Sequence, residues 1–251
     1  MIKVSVVICT NNSQDTIAST IESILKQTYQ LIEIIVIDNN SNDKTIEIIK
    51  TYNIKNIQIF IDSDKGIFDA INKGIIKSSG EIISILHSDD VYYDEEVLSL
   101  VTSNFFHKKN NIVYGDLMYV KRDNLDKNIR YWKSSEYKKN LFYIGWSPPH
   151  PSFFVRRDCY LKNGLYKHEI GNAADIELMY RYLEINNIDS HYLNKMLIKM
   201  RIGGESNKSI INIFKQNLTI VNFLGIKKNP IKILIFIIFK ILNRLKQFIK
   251  V

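Results

Sequence analysis

The stretch Ser63-Asp64-Lys65-Gly66-Ile67-Phe68-Asp69-Ala70-Ile71-Asn72-Lys73-Gly74, followed shortly by Glu81-Ile82-Ile83-Ser84-Ile85-Leu86-His87-Ser88-Asp89-Asp90, decides how this chain folds. Ile67, Ala70, Ile71 and Ile75 recur at helical spacing, and Gly74 and Gly80 bracket the helix end. Ile82 to Leu86 is a short apolar run with β-branched residues, which reads as a buried strand. In an open α/β sheet, ligands bind beyond the carboxyl ends of the strands. Asp89 and Asp90 stand at such an end and repel each other unless a cation intervenes, and a divalent cation with oxygen ligands is the usual partner. The stretch therefore predicts a site for a phosphate-rich, metal-bound molecule.

Working outward, Lys3 to Thr10 is an almost wholly apolar first strand, and Asn11-Asn12-Ser13 offers helix caps. Ile17, Ile21, Ile24 and Leu25 then mark a helix ending near Tyr29. Glu33 to Ile37 predicts a second strand, residues around Ile46 to Ile49 a helix, and Ile57 to Ile61 a third strand. This alternation is the signature of a doubly wound, mostly parallel sheet. A helix is expected over Glu95 to Phe106 and a strand over Asn111 to Asp116. Leu117 to Arg122 and Ile129 to Trp132 then predict a hairpin or mixed sheet edge around Asp123-Asn124. Ser147-Pro148-Pro149-His150-Pro151 is an irregular loop. A strand over Ser152 to Val155 and helices over Asp158 to Asn163 and Asp175 to Asn187 complete the expectation.

The 251 residues allow one large domain or two lobes, and 45% hydrophobic with 24% charged residues is ordinary for a globular chain. Cys9 and Cys159 show no metal-ligand spacing and are expected to be reduced, in a cytosolic setting. The start at Met1 has no charged region leading into a long apolar core, so no secretory signal is expected. Of the net charge of +8, seven cations lie between Lys227 and Lys250 with no acid among them. The longest apolar run there, Ile233 to Phe239, is seven residues, against about 20 for a membrane span. On a helical wheel of about 100° per residue, Lys232, Lys240, Asn243, Arg244, Lys246, Gln247 and Lys250 share one arc and isoleucines and leucines fill much of the other side. The expected partner of this amphipathic tail is an anionic membrane surface rather than nucleic acid, with a helix packed on the body of the protein or on a second subunit as the alternative.

Four pieces resemble the family 2 glycosyltransferases, which have the GT-A fold. They are Val4-Ser5-Val6-Val7-Ile8-Cys9-Thr10-Asn11-Asn12, Val36-Ile37-Asp38-Asn39-Asn40-Ser41-Asn42-Asp43-Lys44-Thr45, Asp64 to Gly74, and Asn172-Ala173-Ala174-Asp175-Ile176-Glu177-Leu178. The third is similar to members that build bacterial surface polysaccharides (O-antigen, capsule, exopolysaccharide). The resemblance covers roughly residues 1 to 206. It implies a GT-A domain whose donor half is residues 1–115 and whose smaller, mixed acceptor half is residues 116–206, with residues 207–251 as the tail.

The resemblance implies single-displacement, inverting transfer of a sugar from a nucleotide-diphosphate sugar, expected to be a UDP-sugar, to a hydroxyl of a polyprenyl-pyrophosphate-linked saccharide. Such a reaction needs the leaving diphosphate neutralised and the acceptor hydroxyl deprotonated. By the same resemblance Asp38 holds the nucleobase, Asp64 the base-ribose region, Asp89 the metal (Mg²⁺ or Mn²⁺), and Asp175 is the general base. Thr10, Asn12, Lys65, Gly66, Asp69, Asn72 and Ser88 fall on the donor side, although Asp69 and Asn72 also suit plain helix positions. His87 stands where the family's metal motif commonly has an acid; it is expected on the metal, a ribose hydroxyl or a phosphate. Asp90 is expected to share the metal or cap the next helix. Arg201, or Lys208, is expected to pair with the diphosphate. Trp146 and His150 are the acceptor-side candidates, by stacking and polar contact, or else packing residues. Asp175 is equally suited to capping a helix. The enzyme is expected on the inner face of the cell membrane. The rivals are a nucleotidyltransferase, disfavoured because Thr10 to Ser13 holds neither Gly nor Lys, and a non-catalytic nucleotide-sugar-binding protein.

Overall fold

The computed structural model describes residues 1–108, 110–203 and 210–248. β1 (Val4–Thr10) is buried along its whole length, as expected of a strand paired on both edges and covered on both faces. It lies between β2 (Ile32–Asp38) and β4 (Ile82–Ile85), parallel to both, and β3 (Ile57–Ile61) pairs with β2. The register sets Thr10 beside Asp38 and Val7 beside Ile85, so three carboxyl ends open on one edge. Alternate residues face opposite layers. Val4, Val6 and Ile8 pack with Ile17, Ile21 and Ile24 of α1 (Ile17–Leu25), whereas Val7 and Cys9 pack with Ala70, Ile71 and Ile75 of α3 (Ile67–Lys77). α2 (Thr45–Thr51) and α4 (Val97–Lys108) complete this half.

Past β4 the pairing becomes mixed. β8 (Phe153–Arg156) runs antiparallel to both β4 and β6 (Ile112–Lys121). β6 forms a hairpin with β7 (Asn124–Trp132), as expected, but the two strands anticipated over Asn111 to Arg122 are one. β9 (Ser190–Arg201), absent from the sequence reading, lies parallel to β6, and β5 (Val91–Tyr92) closes the edge against β9. Among the described residues, one nine-stranded sheet therefore runs through both halves, in the order β3-β2-β1-β4-β8-β6-β9-β5 with β7 beside β6. α5 (Arg157–Asn163) follows β8, and the helix expected over Asp175 to Asn187 is α6 (Ala174–Tyr180) continued by a π-helical turn, Arg181–Ile185.

α7 (Ile210–Phe223) and α8 (Pro230–Lys246) fold back onto the body. Phe236 of α8 is 2% exposed, and the helix backbone at Lys240 presses on Gly145, where an added Cβ would lie 2.7 Å from Lys240 Cβ. This corrects the orientation expected for the tail. Lys240, Asn243, Arg244, Lys246 and Gln247 of the polar arc line a cleft in the protein, while Ile231, Leu234, Ile238, Leu242 and Leu245 face outward. The packing of Phe236 sets that rotation, and a helical wheel carries no information about it. No helix among the described residues is long and apolar enough to cross a membrane. Lys208, Lys250 and the boundary at 206/207 lie outside the described residues.

Candidate active site

The carboxyl ends of β1, β2 and β4 and the start of α3 open into a cleft of about 1420 Å³, larger than the usual small-molecule site and roomy enough for two substrates. Hydrogen bonds between neighbouring loops build its floor. The Asn12 N–H donates to Ser41 Oγ (2.8 Å), the Asn42 N–H to Asn12 Oδ1 (3.0 Å), and the Ser13 and Ser88 hydroxyls lie 2.8 Å apart. Asn12 adopts φ 48°, a left-handed conformation that asparagine tolerates. Asn39 Oδ1 accepts from the Asp64 N–H (3.2 Å), and Asp64 Oδ1 accepts from the Gly66 N–H (2.9 Å), which shapes the turn into α3 at Gly66, φ 115°. Thr10, Asn12, Asp64, Gly66, His87, Ser88 and Asp89 all line the cleft.

Five expected donor residues do not. Asp38 is fully buried, and its two carboxylate oxygens accept from the Ser41 N–H (2.9 Å) and hydroxyl (2.6 Å), so it holds the loop whose Asn39 reaches the cleft. Lys65 and Asp69 lie at the outer side of α3, where Asp69 accepts from the Lys65 N–H (3.0 Å) and stands 3.6 Å from Lys73. Asn72 is buried and clamps Tyr166, donating to its carbonyl (2.8 Å) and accepting from its N–H (3.0 Å). Arg201 is the last residue of β9. Its guanidinium donates to the carbonyls of Asp89 and Arg122 and to Ser19 Oγ, so it secures the Asp89 backbone.

Asp89 is the acid that β4 delivers to the cleft, with Arg122 Nη1 3.9 Å from its carboxylate. Asp90 points away: it is fully buried, Oδ1 accepts from the Arg201 N–H, and Oδ2 has no partner among the described residues. Burial, then the Asp89 charge, push its carboxyl well above the usual range, against the opposing Arg201. Among the described residues no three His, Cys, Asp or Glu side chains form a metal cage. A single carboxylate nevertheless suits Mg²⁺ or Mn²⁺ held mainly by substrate phosphates and waters. Burial lowers the His87 imidazole while Asp89 opposes the shift.

The opposite wall carries aromatic and basic groups. Trp146 packs among Tyr137 and Phe142 at ring separations of 5.9 and 5.6 Å, leaving part of its surface on the cleft. The buried His150 ring lies 6.0 Å from His87, and its Nε2 hydrogen-bonds the Tyr166 hydroxyl (2.8 Å). Burial and the neighbouring His87 hold it down to about 3, so it is neutral and a poor proton acceptor. Asp175 sits one residue inside α6 rather than capping it, with Oδ1 accepting from the Ile176 N–H (2.7 Å). Burial pushes its carboxyl up to about 6, partly offset by Lys240 of α8. Burial in turn brings Lys240 down to about 8, against the pull of Asp175, and its ammonium donates to Asn217 Oδ1 (2.6 Å).

Sequence reasoning missed the cleft residues Gln216, Asn217, Arg130 and Lys133, and the inward role of Lys240 and Arg244. The cationic and aromatic run Arg130-Tyr131-Trp132-Lys133 was the available signal for the hairpin's share.

A sequence model described as glycosyl transferase family 2 matches residues 5–163. An uncharacterised glycosyltransferase of Rickettsia bellii is 29% identical over 223 residues, which is 88% of this chain but only 31% of that protein. A PGL/p-HBAD biosynthesis glycosyltransferase of Mycobacterium tuberculosis is 25% identical over 228 residues, 89% of this chain and 86% of its own. Among solved structures, S. aureus TarS residues 1–349 with UDP-GlcNAc aligns at TM-score 0.71 and 19% identity, covering 98% of this chain and 73% of that one. The mannosyltransferase PcManGT of Pyrobaculum calidifontis with GDP-Man and Mn²⁺ aligns at TM-score 0.63 and 14% identity, covering 89% and 63%. These likenesses establish the GT-A architecture. With the match spanning well over half its length, the chain belongs to glycosyl transferase family 2.

Proposed function

We propose that this chain is an inverting glycosyltransferase that moves a sugar from a nucleoside-diphosphate sugar, a UDP-sugar first of all, to a hydroxyl of a lipid-linked saccharide destined for the cell surface. The observation that carries the reading is one cleft lined by Asp89 at a strand end and by Asp175, whose carboxyl is raised to about 6. Residues 1–115 serve as the donor half and 116–206, with α7 and α8, as the acceptor half. The TarS and PcManGT complexes with UDP-GlcNAc and with GDP-Man and Mn²⁺ support a nucleotide-sugar donor, and the mycobacterial relative named as a PGL/p-HBAD biosynthesis glycosyltransferase supports sugar transfer.

In this reading the loops carrying Thr10, Asn12 and Asn39 hold the nucleoside, with Asp64 beside them. Asp89 is the residue that would hold Mg²⁺ or Mn²⁺, which when bound neutralises charge on the leaving diphosphate. The acceptor oxygen attacks the anomeric carbon as the bond to the diphosphate breaks. The electron pair leaves with the nucleoside diphosphate, and the hydroxyl proton passes to the Asp175 carboxylate. A carboxyl near 6 is well placed for this, being mostly ionised at neutral pH yet more basic than an ordinary aspartate. His150, neutral and bonded to Tyr166, orders the acceptor wall, and Trp146 offers a ring face to a sugar. The outward apolar face of α8 supports peripheral attachment to a membrane, on the cytoplasmic side where nucleotide sugars are found.

The test is a panel of nucleotide sugars screened by thermal shift with Mn²⁺, followed by transfer to a lipid-linked saccharide. A donor at about 100 times its Kd stabilises by about 2.7 kcal/mol. One donor that both stabilises and is turned over supports the reading. Stabilisation without release of nucleoside diphosphate supports a binding protein instead, and no response to any donor refutes both.

A further inference from the structure

The cleft has a cationic wall that the transfer step above leaves unused. Arg130 on β7 and Arg244 on α8 both line it, and the two elements are tied together where the Tyr131 N–H donates to the Gln247 carbonyl at 2.9 Å. The Arg130 guanidinium lies over the Tyr119 ring at 3.7 Å and stands 5.6 Å from the Phe248 ring. Both arginines act on the Tyr119 phenol, and after burial the Arg244 charge is what lowers Arg130. These two guanidiniums line one wall, neither is in an ion pair among the described residues, and as like charges they repel each other in the free protein. Lys240, one turn before Arg244, adds a third cation, hydrogen-bonded to the neutral Asn217 and also attracted by Asp175. Such an arrangement favours a polyvalent anion, and the arginine fork matches phosphate geometry.

The surface beside this wall narrows the choice of anion. On a wheel of about 100° per residue, the positions running outward from Arg244 are Ile237, Phe248, Ile241, Leu234, Leu245 and Ile238, an apolar stripe without interruption. Ile237 and Ile241 line the cleft and are also 43% and 54% exposed, so the stripe joins the cleft to the outer face of α8. A nucleotide sugar has no group for such a stripe, whereas an amphiphile has both halves. We propose that Arg130, Lys240 and Arg244 form a subsite for the diphosphate of a lipid-linked acceptor, whose hydrocarbon leaves along Ile237, Ile241 and the outer face of α8. The inference rests on the glycosyltransferase reading for the word acceptor, and it adds the residues that recognise that acceptor's anionic link.

The test is calorimetric binding of decyl diphosphate, below its micelle concentration, to the full chain saturated with UDP and Mn²⁺. Binding is expected, with Arg130→Gln/Arg244→Gln weakening it at least about tenfold. Arg244→Gln alone, a polar substitution at an exposed position, is expected to weaken it measurably. Decyl maltoside, with the same chain and no phosphate, is expected to bind no better than the double variant does decyl diphosphate. Equal binding by wild type and variants overturns the proposal. Equal affinity for decyl maltoside overturns it in favour of apolar contact alone, and binding that appears only when UDP is left out overturns it by assigning the cations to the donor diphosphate. Because the readout is binding, a chain that transfers no sugar yet passes this test refutes the enzyme reading and leaves the subsite standing.

Discussion

Asp175 and Lys240 come from different helices, α6 and α8, and act on each other's titration, so the pH profile reports whether α8 belongs to the working site. With its carboxyl at about 6, Asp175 is mostly ionised at neutral pH. It is about one tenth ionised at pH 5, so kcat/KM should fall about tenfold between pH 7 and pH 5 if Asp175 is the base. An ordinary aspartate would leave the rate nearly flat over that range. Lys240→Met removes the cation that favours the ionised form, and the acid limb must therefore move to higher pH. The two charges form no ion pair within 4.0 Å; at a separation of about 10 Å and an effective dielectric of about 20, a pair interacts by roughly 1.7 kcal/mol, or about one pKa unit. The assay is nucleoside diphosphate release at subsaturating substrate across the range from about pH 5 to pH 9. An acid limb that stays fixed or moves down in Lys240→Met refutes the coupling, and a limb that persists in Asp175→Asn assigns it to another group.

Asp89→Asn should weaken Mn²⁺-dependent donor binding while the melting temperature holds; unchanged metal dependence would remove Asp89 from that role. Asn72→Ala leaves the buried N–H and C=O of Tyr166 unsatisfied, which should cost about 2–4 kcal/mol in urea unfolding without changing donor affinity in the folded protein. Burial pushes the Glu33 carboxyl up, but Lys3, Ser5 and Ser79 outweigh it and hold it down to about 2. A lowered carboxyl stabilises above its unfolded value near 4.5 and loses that contribution as pH falls toward 2; the full span is up to about 3 kcal/mol, and Glu33→Gln should flatten the acid side of the stability curve. Ile238→Asp/Leu242→Asp, on the outer face of α8, should abolish flotation with anionic liposomes and leave donor binding intact; equal flotation would place membrane contact elsewhere.

The N-terminal half was legible because its signals are local. β1 and β4 are buried on both faces and read as continuous apolar runs, and the Gly66 turn and α3 follow from spacing. Thr10, Asp64, His87, Asp89 and Asp175 were reached by motif and do line the cleft. Asp38 and Asn72 belong to the same motifs and Arg201 was expected beside them, yet their side chains are consumed by Ser41, by Tyr166 and by the Asp89 backbone, contacts no spacing encodes. β9 escaped because Asn194, Lys195 and Lys199 interrupt its apolar positions and it lacks a β-branched run. The amphipathic character of α8 was readable, but its rotation depends on the burial of Phe236 and on Lys240 meeting Gly145, far apart in sequence.

Diffraction from crystals grown with UDP and Mn²⁺, measured at the manganese edge, tests the assignment of the cleft most directly. The account predicts one anomalous peak between the Asp89 carboxylate and the diphosphate oxygens, with the uridine against the loops of Asn12 and Asn39 and the wall of Arg130 and Arg244 left clear. A diphosphate seated on Arg130 and Arg244, or a metal bound away from Asp89, would contradict it.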